Sequence, residues 1–283
     1  MRIAWVTLAV AAFGAVNAHP IKRDGGADDS TVLNFALTLE HLENAFYKEA
    51  LAKYDEDAFH NAGLPTWARG RFAQVGAHEE AHVNFLASAL GDKATQPCTY
   101  NLYVPGLQVK WQRLTIAILD SPHNDPKSFA ALSQVLEGVG VSAYVGAAGL
   151  IENKSYLTAA ASVLATEARH ASWVASAVRG GSGWSGALDV PLTLDTVYTL
   201  AASFITACPS TNPPLPVKAF PALTFDMNPW PGSESTLTFD TTGLESSTPL
   251  YAVFFTSLSQ IVSPIEDGKV VIPKNLRGVV YAV

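Results

Sequence analysis

Glu40 is followed seven residues later by Tyr47, and Glu79-Glu-Ala-His82 comes downstream. The order then repeats with Glu137, Tyr144 seven residues on, and Glu167-Ala-Arg-His170. Four carboxylates and two imidazoles on four apolar segments form the ligand set with which a four-helix bundle holds two metal ions in its core. Three residues turn an α-helix by about 300°, so Glu79 and His82 share a face, as do Glu167 and His170. A glutamate so placed bridges two metals while the histidine caps one of them. Seven residues make about two turns, roughly 10.5 Å of rise, which puts Tyr47 on the face of Glu40 and Tyr144 on that of Glu137. A phenol there either donates a hydrogen bond to a liganding carboxylate or fills space as a core aromatic. Glu43, one turn beyond Glu40, reads as an extra ligand, an acceptor behind the ligands or an exposed acid.

Chance does not account for the pattern. Twelve Glu and seven His in this chain predict roughly 0.3 E-x-x-H pairs at random, and there are two. Glu40 and Glu137 are the two places where Glu precedes Tyr by seven, and each lies upstream of an E-x-x-H. Ala77-His-Glu79-Glu-Ala-His82-Val-Asn-Phe85 and Ala165-Thr-Glu167-Ala-Arg-His170-Ala-Ser-Trp173 share A-x-E-x-x-H-x-x-aromatic, the mark of a duplicated helix pair. Glu137 stands alone in an otherwise uncharged run, residues 128–151. A lone buried charge requires a partner, and a metal supplies one.

The elements that must position these residues follow from periodicity and punctuation. Residues 30–54 read as a helix with Leu33, Leu37, Glu40, Asn44, Tyr47 and Leu51 on one face. Residues 65–90 read as a second helix starting at Pro65, residues 127–152 as a third rich in Gly and Ala, and residues 155–178 as a fourth stopped by Gly180-Gly181. The small residues of the third predict close approach of a neighbouring helix. Residues 91–126 are irregular, with a short helix expected near 114–119. A fifth helix is expected over 192–207. From Pro213 onward short β-branched and aromatic runs alternate with turn residues, which predicts a β-sandwich-like module of five or six strands over 213–283 with no catalytic pattern in it. Its expected role is packing or contact with a partner, a cell wall or a second copy.

Residues 1–18 read as a secretory signal, with Arg2, an apolar stretch and Val16-Asn17-Ala18 as cleavage site. Residues 19–29 form a short linker in which Lys22-Arg23 offers a second trimming point. Both cuts remove Arg2, Lys22 and Arg23 and no acid, taking the net charge from −7 to −10. An acidic surface argues against nucleic acid and anionic membranes as partners. No segment is long and apolar enough to span a bilayer. In a secreted chain the two cysteines, Cys98 and Cys208, are expected to pair and to fasten residues 91–126 to the bundle. Asn153-Lys-Ser155 is a glycosylation sequon between the third and fourth helices.

These residues resemble the ferritin-like superfamily, and more narrowly the fungal late sexual development proteins and the desiccation-related proteins. The resemblance lies in the run from Leu33 to Tyr47, in His78-Glu-Glu-Ala-His82, in Leu136-Glu-Gly-Val-Gly-Val-Ser-Ala-Tyr144 and in Thr166-Glu-Ala-Arg-His170, and covers residues 30–210. It implies a bundle with a long crossover between the second and third helices. It implies no single activity, because such proteins include stores, oxidases, peroxidases and catalases. Carboxylate and imidazole ligands without thiolate suit two iron or manganese ions. Oxidase or peroxide-scavenging chemistry is the leading enzymatic reading, and a non-catalytic metal-binding or structural protein the alternative. His78-Glu-Glu-Ala-His82 also fits the H-E-x-x-H helix of zinc proteases, with His78 and His82 as ligands and Glu79 as base. That rival leaves Glu40, Glu137 and the second E-x-x-H without a role. In the two-metal reading His78 points about 100° away from Glu79, at the surface or behind the ligands.

Overall fold

The computed structural model describes residues 28–102, 114–116, 124–226, 230–242 and 248–283. The expected signal and trimming sites lie outside them. Six α-helices are present among the described residues: α1 (Asp29–Lys53), α2 (Glu56–Asn61), α3 (Ala68–Leu90), α4 (Pro126–Ala147), α5 (Lys154–Trp173) and α6 (Leu194–Ala202). α1 packs along α3 and α4 along α5, with α1 also against α4.

The helix ends are set by local chemistry. The Asp28 side chain accepts from Thr31 N to start α1, and Asp125 and Ser128 form a capping box ahead of α4 with Pro126 in its first turn. Asn153 caps α5 by accepting from Ser155 and Tyr156, so the sequon asparagine is an exposed N-cap rather than a loop residue. α3 starts at Ala68, later than Pro65, because α2 and its turn occupy the preceding residues.

One end of the bundle is filled by aromatics. Phe129 lies 5.1 Å from Phe46, 4.8 Å from Phe72 and 5.9 Å from Tyr47, centroid to centroid. Such pairs add about 0.5–1.5 kcal/mol each beyond area burial. They also fix the ring of Tyr47 from three sides.

The small residues of α4 admit both a crossing segment and side chains of the neighbouring helices. A Cβ on Gly146 would lie 1.8 Å from the Leu192 carbonyl oxygen, so an extended segment crosses α4 there, held by Leu192 N donating to Ser142 O at 3.1 Å. A Cβ on Gly140 would meet Glu167 Oε2 at 3.2 Å and Glu43 Oε1 at 3.3 Å. Gly138 meets nothing within 4 Å.

Two sheets are present among the described residues. β1 (Thr99–Tyr100) pairs antiparallel with β3 (Ile205–Ala207), beside the Cys98–Cys208 disulfide. The expected fifth helix therefore stops at Ala202, and Cys208 follows a strand. The disulfide does fasten the crossover to the segment after α6. The second sheet takes β2 (Leu114–Ile116), β4 (Leu223–Phe225), β5 (Glu234–Phe239), β6 (Leu250–Thr256), β7 (Ser259–Glu266), β8 (Lys269–Val271) and β9 (Gly278–Ala282) in the order β2-β9-β6-β7-β8-β5-β4. Residues 114–116 are thus a strand, parallel to β9, and not helix. The sheet curls on itself: Phe225 of β4 and Phe254 of β6 are not neighbours in the strand order, yet their rings lie 6.3 Å apart in one core with Val270, Ile272 and Val280. That curl delivers the expected sandwich-like packing.

The β module is joined to the bundle. Tyr281 of β9 is buried in the helical core, accepts from Ser142 Oγ at 3.0 Å and donates to Gly138 O at 3.1 Å. Its hydroxyl therefore braces α4 at Gly138, the residue after Glu137, and at Ser142.

Candidate metal centre

Each of the four long helices delivers part of one buried cluster. α1 contributes Glu40, Glu43 and Tyr47, α3 contributes His78, Glu79 and His82, α4 contributes Glu137 and Tyr144, and α5 contributes Glu167 and His170. Glu79, Glu137 and Glu167 are 0% exposed, and Glu40 is 1% exposed.

Ligand atoms of Glu40, Glu79, His82 and Glu167 lie within 4.8 Å of one another, and so do those of Glu79, Glu137, Glu167 and His170. Glu79 and Glu167 belong to both groups, so the six residues singled out by spacing form two overlapping sets that could hold two metal ions with two shared carboxylates. His82 Nδ1 is 3.1 Å from Glu79, 3.1 Å from Glu167 and 3.3 Å from Glu40. His170 Nδ1 is 3.1 Å from Glu137 and 3.2 Å from Glu79. Among the described residues these two sets are the groups that could hold a metal, and neither includes His78.

The donor set fits a cation pair on electrostatic grounds. Glu40 Oε2, Glu79 Oε1 and both oxygens of Glu167 are buried without a well-formed hydrogen bond, although an imidazole nitrogen lies 3.3 Å from Glu40 Oε2, 3.2 Å from Glu79 Oε1 and 3.1 Å from Glu167 Oε1. Unpaired buried carboxylate oxygens are expensive, and bound cations would satisfy them. Without cations the cluster holds protons instead. Burial, with the neighbouring carboxylates of Glu137 and Glu79, pushes Glu167 well above the usual carboxylate range. Burial, with Glu167, Glu137 and Glu40 nearby, does the same to Glu43. Burial lifts Glu40 to about 7. Burial also opposes charge on Glu79, but the imidazoles of His170 and His82 outweigh it and hold Glu79 at about 2. Burial would lower His170, yet Glu137 and Glu79 raise it to about 9.

The two tyrosines cross over. Tyr144 of α4 donates to Glu40 Oε1 of α1 at 2.5 Å, and Tyr47 of α1 donates to Glu137 Oε1 of α4. Each therefore serves the carboxylate of the opposite helix, not the one on its own helix whose face it shares. Tyr47 also meets Ser133 Oγ at 2.7 Å. Ser133 lies four residues before Glu137 on the same face of α4, a spacing from which it could have been found.

His78 is surface-exposed, as its angle from Glu79 implies, but it is not idle. Its Nδ1 lies 2.9 Å from His170 Nε2 with the rings stacked, 5.2 Å between centroids. The outer nitrogen of one histidine of the cluster is thus held by a second imidazole. Glu43 is buried beside the cluster at Gly140 and belongs to neither ligand group.

A ferritin-like domain model matches residues 28–180, more than half of the chain, and the chain belongs to that family. No curated protein matches it. No helix among the described residues is long and apolar enough to cross a membrane.

Proposed function

We propose that this is a secreted ferritin-like oxidoreductase holding two iron or manganese ions through Glu40, Glu79, His82, Glu137, Glu167 and His170, and acting on dioxygen or hydrogen peroxide. The observation that carries the reading is the pair of overlapping ligand groups sharing Glu79 and Glu167, with buried carboxylate oxygens left unsatisfied between them. Six oxygen and nitrogen ligands without a thiolate favour iron or manganese. A carboxylate-bridged pair of either metal supplies two-electron redox chemistry when bound. Around it, Tyr144 and Tyr47 orient Glu40 and Glu137, His78 orients His170, and the aromatic plug of Phe46, Phe72 and Phe129 excludes water from the Tyr47 end.

The Cys98–Cys208 disulfide supports an oxidising compartment, in keeping with the signal-like residues 1–18. The exposed Asn153 is available to carry a glycan. By resemblance the protein takes part in fungal development or in stress and desiccation responses. A second reading, a non-catalytic wall or self-association protein, draws on the outer face of the β module, where Tyr251, Val262 and Val271 are exposed. The zinc-protease reading is disfavoured by His78, which bonds His170 instead of joining a ligand group with His82.

The deciding experiment is elemental analysis of protein purified from its secreting host, with anaerobic reconstitution and a peroxide- or oxygen-consumption assay. About two iron or manganese ions per chain with turnover supports the oxidoreductase. Two ions without turnover supports the non-catalytic reading, and refusal of both metals sinks the metal site.

A further inference from the structure

A narrow, partly open pocket with about 20 Å³ of room for a small molecule lies between α1, α4 and α6, with Glu43 and Gly140 in its wall. Its lining includes Leu39 and Glu43 from α1, Leu136 and Gly140 from α4, and Ala201 and Phe204 at the α6 end. That volume admits a water-sized molecule. Water requires two to four polar partners, and Glu43 is the one polar side chain in the lining. A lining so short of polar partners disfavours water and suits a small apolar molecule.

The inner wall of the cavity is thin. Gly140 forms part of it, and a methyl group there would press on Glu167 Oε2 at 3.2 Å and Glu43 Oε1 at 3.3 Å. Glu167, a carboxylate shared by both ligand groups, thus lies directly behind Gly140, one backbone away from the pocket. The duplicated pattern sharpens the point. Glu40 corresponds to Glu137 and Tyr47 to Tyr144, but Glu43 corresponds to Gly140. The bundle therefore has one polar side chain and one gap at matching positions, both facing this cavity. A second cavity of the same size, lined by Val32, Phe85, Tyr144 and Tyr156, has the exposed Phe85 in its wall and no carboxylate.

We propose that the cavity between α1, α4 and α6 is the waiting site for dioxygen on its way to the metal pair, with Gly140 keeping its inner end open and Glu43 forming its polar gatepost. The inference rests on the oxidoreductase reading for its purpose, but the cavity's affinity for an apolar gas does not depend on metal.

The test therefore has two arms. In the first, crystals of metal-free full-length protein are pressurised with xenon. Xenon is expected between Leu39, Leu136 and Phe204, and is expected to be lost in Ala201→Val, a change on α6 remote from every ligand. An empty cavity, or xenon only in the cavity beside Tyr144, overturns the proposal whatever the metal content. In the second, reduced metal-loaded protein is mixed with oxygenated buffer. Ala201→Val should reoxidise more slowly than the parent at equal metal content. Equal rates overturn the proposal even if xenon binds. Failure of the parent to take up metal would instead overturn the oxidoreductase reading. Leu136→Phe, which fills the same space from α4, replaces Ala201→Val if that variant does not fold.

Discussion

Tyr144 of α4 donates to Glu40 of α1, and the bond is returned by Tyr47 of α1 to Glu137 of α4. The exchange ties together the two long helices that carry no histidine of the cluster. Tyr144→Phe and Tyr47→Phe should each lower metal affinity by about 10–100-fold, the usual cost of losing an outer-sphere partner. Competition with a chelator of known affinity measures it. Unchanged affinity in both variants would reduce the phenols to space-fillers.

Sharing of carboxylates predicts unequal losses. Glu79→Gln and Glu167→Gln remove an oxygen donor from both ligand groups and should abolish binding of both ions. His82→Ala and His170→Ala touch one group each and should leave about one ion per chain. His78→Ala should loosen binding through His170 without matching the loss in His170→Ala. Metal analysis after gel filtration reads all five, and full occupancy in Glu79→Gln would contradict the shared arrangement.

The metal-free protein should lose stability as pH rises from about 6.5 to 9. His170 is raised to about 9 from 6.5, so it binds a proton in the folded state that the unfolded chain has released. Stability from a raised group is complete below the unfolded value and disappears through the folded one. Glu43 and Glu167, also raised, act in the same direction. Glu79, lowered to about 2, keeps its contribution throughout this window and loses it only in acid. Thermal melts of chelated protein across the window check the sign. A melting temperature that climbs toward pH 9 would contradict it.

Reduction of the Cys98–Cys208 bridge opens a loop of 110 residues. The chain-entropy estimate is about 4–5 kcal/mol, and measured values often fall below it. Urea unfolding of Cys98→Ser/Cys208→Ser beside the parent gives the difference, and an unchanged midpoint would show that the crossover is held by other contacts.

Two glycines on α4 should respond oppositely to alanine. Gly146→Ala drives a methyl group into the Leu192 carbonyl and should cost about 3 kcal/mol or more. Gly138→Ala meets open space and should be neutral or stabilising by up to about 1 kcal/mol. Equal midpoints for the two in denaturant would contradict the close crossing.

The bundle was legible because its signals are local: apolar period, caps and one lone acid in an uncharged run. The six cluster residues were legible because three- and seven-residue spacings fix a face. What a spacing does not fix is which neighbour a long side chain reaches, so the spacing places Tyr47 and Tyr144 on the ligand face without saying which carboxylate each one meets. Strand β2 was misread because Leu114–Ile116 is apolar in either state, and its partner β9 lies far along the chain. Pro264 argues against a central strand at that point, and in the sheet the ladder of β7 with β8 begins only at Ile265. Tyr281 carries no local mark of its contact with Gly138 and Ser142, the contact by which the β module packs on α4. A chain cut near Thr211 would lose a brace on α4 at the residue next to Glu137.

The mismatch between Glu43 and Gly140 gives the duplicated scaffold an orientation. A faithful doubling would yield halves that could be exchanged without consequence. Here the exchange would move an acid from one wall of the bundle to the other. The two halves are thus not equivalent: a substitution tolerated beside Tyr47 is not thereby tolerated beside Tyr144. The doubled pattern therefore carries a direction, marked at Glu43 against Gly140 and again at His78 against Thr166.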